Sequence, residues 1–201
     1  MKKYILLITI MSTALVNGQS LNDLLNFKYM GLNQIEEKLI LENWSFKSSE
    51  NESKKNTSKN TQGVLGLYNS KSSRTYESRT YAYEGYLGDI TTITITNYED
   101  EDKNDIKIKG ENKLLYKNIL EDLVNTGFRV SNEKSPYVGY YLGDYNIGEK
   151  VTIESNGKIY RQGSQEVHLI IYRKATVTGK NNGKFSYDQN EVTDEYQIIV
   201  K

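Results

Sequence analysis

The chain has 201 residues, with 26 basic and 26 acidic side chains, no cysteine, one histidine, one proline and 17 tyrosines. Without cysteine it can hold neither a disulfide framework nor a thiolate metal site, and its balanced charge offers no basic groove to a nucleic acid. Apolar residues make up 37% and recur periodically, which excludes disorder throughout.

Lys2 and Lys3 precede an uncharged run from Tyr4 to Val16, which Asn17-Gly18 breaks. The run is too short for a bilayer core of about 30 Å, and its order is that of a secretory signal peptide. Val16 and Gly18 suit the small-residue positions of a cleavage site. Residues 1–18 are therefore expected to be removed, leaving Gln19 first, in the periplasm or outside the cell. No cysteine follows to carry a lipid, and no later run is long and apolar enough to span a membrane.

Residues 20–29 predict a short helix with Leu21, Leu24 and Leu25 on one face, ended by Gly31. A second helix, 32–42, carries Leu32, Ile35 and Leu39, with Asn43 closing it. Trp44-Ser45-Phe46 opens a strand, and the polar run 47–62 predicts a mobile loop. Short strands are expected at 64–68 and 76–86. Ile93 and Ile95 alternate with Thr92, Thr94 and Thr96, giving a strand over 90–98 with one buried and one wet face. Ile106 and Ile108 alternate with Lys107 and Lys109 in the next.

Leu115, Ile119, Leu120, Leu123 and Val124 predict the best helix, 113–126, capped by Asn112 and ended by Gly127. Strands follow at 128–130, 137–141, 150–154 and 158–161, with Asn156-Gly157 as the hairpin turn between the last two. Residues 167–172, apolar on both faces, predict a central strand. A polar loop at 179–183 precedes a closing strand at 195–201.

A shift of 84 residues brings Ile35, Leu39, Ile40, Asn43, Trp44 and Phe46 onto Ile119, Leu123, Val124, Gly127, Phe128 and Val130. The two residue types that best accept a left-handed cap coincide, each followed by a large aromatic. The pattern points to two repeats, about 20–109 and 110–201, within a single domain at 19–201. The expected fold is α+β: a mostly antiparallel sheet of about seven or eight strands with helices packed on one face. That two-unit layout resembles the β-lactamase inhibitor proteins, which are secreted binders. The resemblance is of layout alone and carries no functional residue across. The leader and the Asn-, Lys-, Ile- and Tyr-rich composition resemble exported proteins of Bacteroidota.

His168, the single histidine, lies within an apolar strand with no nucleophile elbow in the sequence, and is read as structural. Glu77, Glu84, Asp89, Asp144 and Glu154 could supply a glycosidase pair, yet nothing singles out two of them. Asp100, Asp102, Asn104 and Glu111 occupy positions 1, 3, 5 and 12 of a calcium loop. Asp105 stands where such a loop turns on glycine, so an acidic hairpin loop is the preferred reading. No phosphate loop occurs, and no cofactor is expected.

The tyrosines remain. In strands they pack, but they also make binding faces of large area and few rotors. Tyr81, Tyr83, Tyr140 and Tyr141 are the candidate face. The expected function is a non-enzymatic binding or inhibitory module for a protein or glycan of the cell envelope or exterior, with no nucleic acid partner. A carboxylate-dependent hydrolase of envelope glycans and a structural envelope component are the alternatives.

Overall fold

A computed structural model describes residues 19–53, 75–85, 88–133, 139–140, 146–181 and 184–201, excluding the side chains of 52–53, 140, 180–181 and 184. The strand expected at 64–68 lies outside these residues. Helices α1 (Leu21–Phe27) and α2 (Leu32–Leu41) lead into strands β1 (Ser45–Ser53), β2 (Thr75–Glu84), β3 (Ile90–Tyr98) and β4 (Asn104–Gly110). Helix α3 (Lys113–Asn125) leads into β5 (Arg129–Val130), β6 (Gly139–Tyr140), β7 (Lys150–Gln162), β8 (Gln165–Asn181), β9 (Lys184–Tyr187) and β10 (Thr193–Val200).

The fold is α+β as the sequence predicts, with one antiparallel sheet that does not close. Its path is β1-β2-β3-β4-β10-β8-β7-β5, with β6 on β7 and β9 on β8. That order has a symmetry. Units α2-β1-β2-β3-β4 and α3-β5-β7-β8-β10 each run from a sheet edge to the centre, where β4 and β10 pair antiparallel.

All three described α-helices cover one face. Leu21, Leu24 and Phe27 of α1, Ile35 and Leu39 of α2, and Leu115, Ile119 and Leu123 of α3 are buried in one core. Beneath them runs the cross-strand row Tyr81, Ile93, Ile108, Ile198 and Leu169. Residues directly opposite in register share a face, so this row fixes which side of every strand meets the helices.

Several boundaries differ from expectation. Residues 47–53 are not loop but the body of β1, paired with β2 from Ser48↔Thr80 to Ser53↔Thr75. An edge strand exposed on both faces needs no apolar residue, so its composition imitates a loop. Asn156-Gly157 is not a turn either; β7 runs through it, with Gly157 opposite Ile170. The chain turns at Gly163-Ser164, where Gly163 has φ of 58° and Gln162 pairs with Gln165. Residues 179–181 extend β8 rather than forming a loop. Gly31 has φ of −67° and opens α2 instead of ending α1.

The two helix ends related by the 84-residue shift have the same geometry. Asn43 has φ of 66° and Gly127 φ of 90°. Trp44 N donates to Leu39 O at 2.9 Å, and Phe128 N to Leu123 O at 2.9 Å. Asn43 N donates to Ile40 O, and Gly127 N to Val124 O. Each is a Schellman turn, its second bond enclosed by the first.

Candidate functional site

The alternation that pairs Tyr81 with Tyr83 is correct, but the side they share is the one the helices cover. Tyr81 is fully buried. Its hydroxyl donates to Glu36 Oε2 at 3.1 Å, and Arg79 Nη1 donates to the same oxygen at 2.6 Å. Burial, with the Glu36 carboxylate beside it, pushes the Tyr81 phenol up to about 12. Tyr83 is half-buried and packs on Trp44 with ring centroids 5.6 Å apart.

Tyr140 lies on β6, beyond the far half of the sheet, its side chain outside the description; Tyr141 lies outside the described residues. Six strand spacings separate β2 from β6 along the sheet, roughly 30 Å. Tyr81 and Tyr83 on β2 are therefore remote from the backbone position of residue 140. Tyr160 and Tyr196 are also core residues, and burial drives the nearby Tyr116 phenol up to about 12.

The calcium candidate is corrected in the same way. Asn104 is buried and fully engaged. Its Nδ2 donates to Phe27 O and Met30 O at 2.7 Å each, and its Oδ1 accepts from Asn97 Nδ2 at 2.9 Å. Asn104 thus clamps the α1–α2 turn to the β3–β4 hairpin. Asp100 and Asp102 are exposed in that hairpin's turn. Glu111 lies past the opposite end of β4, where it meets Lys150 at 3.3 Å. A seven-residue extended strand spans about 20 Å, so these four cannot close around one ion. Among the described residues no group of three or more His, Asp or Glu is placed to hold a metal.

His168 is buried within β8 and shares a hydrogen bond with Glu166. Arg161 Nε donates to Glu166 at 2.6 Å, and Arg161 Nη1 reaches Glu133 at 2.8 Å. Burial alone would raise the Glu166 carboxyl; the bonds from His168 and Arg161 outweigh it and hold the group below its ordinary range. Of the candidate acids, Glu77 is drawn to Arg79 at 2.7 Å and Glu154 to Arg173 at 3.5 Å. Glu84 and Asp89 flank the turn at the opposite end of β2 from Glu77, and Asp144 lies outside the described residues. Glu77 and Glu154, on strands β2 and β7, belong to different regions of the sheet.

The face without helices carries a different set. Across the sheet, Thr80, Thr94, Lys107, Ile199, His168 and Ile159 stand in one row. Ala82, Thr92, Lys109, Gln197, Ile170 and Gly157 stand in the next. On the β7–β8 half this face is buried: Ile159, His168 and Ile170 are all under a tenth exposed. On the β2–β4 half it is a lawn of short hydroxyls and lysines. Ser78 Oγ and Thr96 Oγ1 share a hydrogen bond at 3.2 Å, and Thr80 and Thr94 one at 3.0 Å. Thr92 Oγ1 donates to Lys109 O at 3.1 Å.

Lys107 is exposed. Lys109 meets Glu195 at 3.4 Å, which also accepts Lys174 at 2.8 Å. Tyr76 and Tyr98 flank this half-face as a cross-strand pair, half-buried, with ring centroids 6.0 Å apart. The alternation of Thr92, Thr94 and Thr96 and of Lys107 and Lys109 marked these residues as wet in the sequence. Nothing there weighted them above the tyrosines.

Among the clefts lined by described residues, one of about 280 Å³ lies between α3 and the chain entering α1. Another, beside Thr91 and Tyr196, measures about 10 Å³, room for a single water. No described helix is long and apolar enough to cross a membrane. No family model, curated protein or solved structure matches this chain.

Proposed function

We propose that this protein is an exported, non-enzymatic binding module whose contact surface is the helix-free half-face of β2, β3 and β4. The observation that carries the reading is that half-face itself: Thr80, Thr92, Thr94, Lys107 and Lys109 side by side on a rigid sheet, bordered by Tyr76 and Tyr98. Such a surface presents hydrogen-bond donors and acceptors, cationic tips and an aromatic border without loop entropy to lose on binding. Its partner is a protein or glycan of the cell envelope or exterior. The anchors differ from Tyr81 and Tyr83, because the side the helices leave uncovered is the even-numbered side of β2. Export rests on the leader at residues 1–18.

A photo-crosslinking side chain at Lys107, compared with one at the exposed Lys117 of α3, tests this in native envelope extract. The expected result is a discrete adduct from position 107 that is absent from position 117 and is lost when Thr94→Arg is added to a chain with unchanged circular dichroism. Equal labelling from both positions, or an adduct indifferent to Thr94→Arg, would overturn it.

A further inference from the structure

Gln19 is polar, stands at the head of the described chain, and is only 3% exposed. Its Nε2 donates to Glu42 Oε2. Its Oε1 is buried with no hydrogen-bond donor. An orphaned buried carbonyl is costly and calls for a donor. The same residue lines the cleft of about 280 Å³, together with Ser20, Asn118, Glu121, Asp122 and Asn125.

Asp122 reaches into this region, its Oδ2 accepting from Leu21 N at 3.3 Å. The surroundings of Gln19 therefore hold carboxylates at Glu42 and Asp122, an amide oxygen without a donor, and, among the described cleft-lining residues, no cationic side chain; Glu121, at the rim, already meets Lys117 at 3.6 Å. The missing chemistry is a cationic group that donates several hydrogen bonds, namely an ammonium.

We infer that this site is built for the α-ammonium group of Gln19 itself, created when the bond between Gly18 and Gln19 is hydrolysed. The inference rests on the export reading above and not on the sheet face. Hydrolysis adds water across that peptide bond, giving a carboxylate on the leaver and an amine on Gln19 that is protonated at neutral pH. Cleavage acts on the exported chain before it folds; folding then buries residue 19. An N-terminal glutamine ordinarily cyclises: its amine attacks Cδ, the Cδ–Nε2 bond breaks and ammonia leaves. Here that product would lose the positive charge facing Asp122 and the Nε2 bond to Glu42. The folded protein therefore holds Gln19 open and charged.

Intact mass of protein isolated from its native envelope, followed by melting of paired recombinant chains with and without an N-terminal extension, tests this. The native mass is expected to match residues 19–201 without loss of ammonia. A chain starting at Gln19 is expected to melt a few degrees above one with Gly-Ser placed before Gln19, and Asp122→Asn should remove that difference. A native mass retaining residues 1–18 would overturn the export reading with the inference. A correct cut with cyclised Gln19, or equal melting of the two chains, would overturn the ammonium site alone. Asn118→Ala, which alters the cleft without changing its charge, should leave the difference in place.

Discussion

At the scale of single residues, the same side-chain types serve opposite ends depending on which face of a strand they occupy. Tyr81 and Tyr76 sit five apart on β2, so one points into the core and the other to the helix-free side. Tyr81 is stabilised as the neutral phenol: its value stands near 12 in the fold and near 10 in the unfolded chain. A raised value means the contribution is whole below pH 10 and is lost as pH climbs from 10 through 12. Urea unfolding between about pH 8 and 11 should show stability falling at the alkaline end. Tyr81→Phe should flatten that fall, while Tyr81→Ala should cost about 3–5 kcal/mol at neutral pH through the cavity it leaves. An identical alkaline slope in wild type and Tyr81→Phe would show that this phenol does not report the burial seen here. Sequence alternation revealed that Tyr81 and Tyr83 share a side. It could not reveal that α1, α2 and α3 cover that side, since the covering residues lie tens of positions away. The calcium-like spacing that includes Asn104 misleads for a related reason. Ligand spacing counts residues along a loop, whereas β4 carries Glu111 off along an extended strand while Asn104 turns inward to the carbonyls of Phe27 and Met30.

At the scale of elements, the helix periods and the Ile/Thr and Ile/Lys alternations were readable because each element buries one face only. Elements whose two faces share one environment were not. β1 is polar on both sides beyond Phe46, and Asn156-Gly157 is a strong turn signal overridden by the β7–β8 ladder that continues through it. The helix ends give the clearest link from residue to element. Asn43 and Gly127 both hold positive φ beneath the same pair of hydrogen bonds, and the residues three before them, Ile40 and Val124, are each more than half exposed. Asparagine tolerates that conformation and glycine adopts it freely. Gly127→Ala is therefore expected to cost about 1 kcal/mol through backbone strain alone, since its Cβ would find the nearest atom, Gln162 Nε2, at an ordinary 3.5 Å. Asn43→Gly should change stability by no more than a few tenths of a kcal/mol. Equal losses at both sites in urea titrations would contradict the shared turn.

At the scale of the whole molecule, the sheet is two four-strand paths joined along one seam. Ile106 faces Val200 there, and Ile108 faces Ile198, all nearly inaccessible to solvent. A division after Glu111 would open this seam and leave each half with an apolar edge strand, a surface that drives association. It would also part α1 from α3, which meet where Leu21 N donates to Asp122. Each unit keeps its own helix and local hairpin contacts, so its elements can form in place. What it lacks is the opposing half of one continuous core, in which α1, α2 and α3 residues pack with both β4 and β10. Chains 19–111 and 112–201 made separately should therefore lack the near-ultraviolet signal of fixed tyrosine packing. Mixed, they should form a one-to-one complex that regains it and melts cooperatively. Ile108→Asp in the first chain should abolish the complex, because a charge would be buried opposite Ile198. A half that folds and melts cooperatively alone would show that the seam joins two finished domains. The expected dependence of each half on the other instead makes the β4–β10 seam the step that completes a single core.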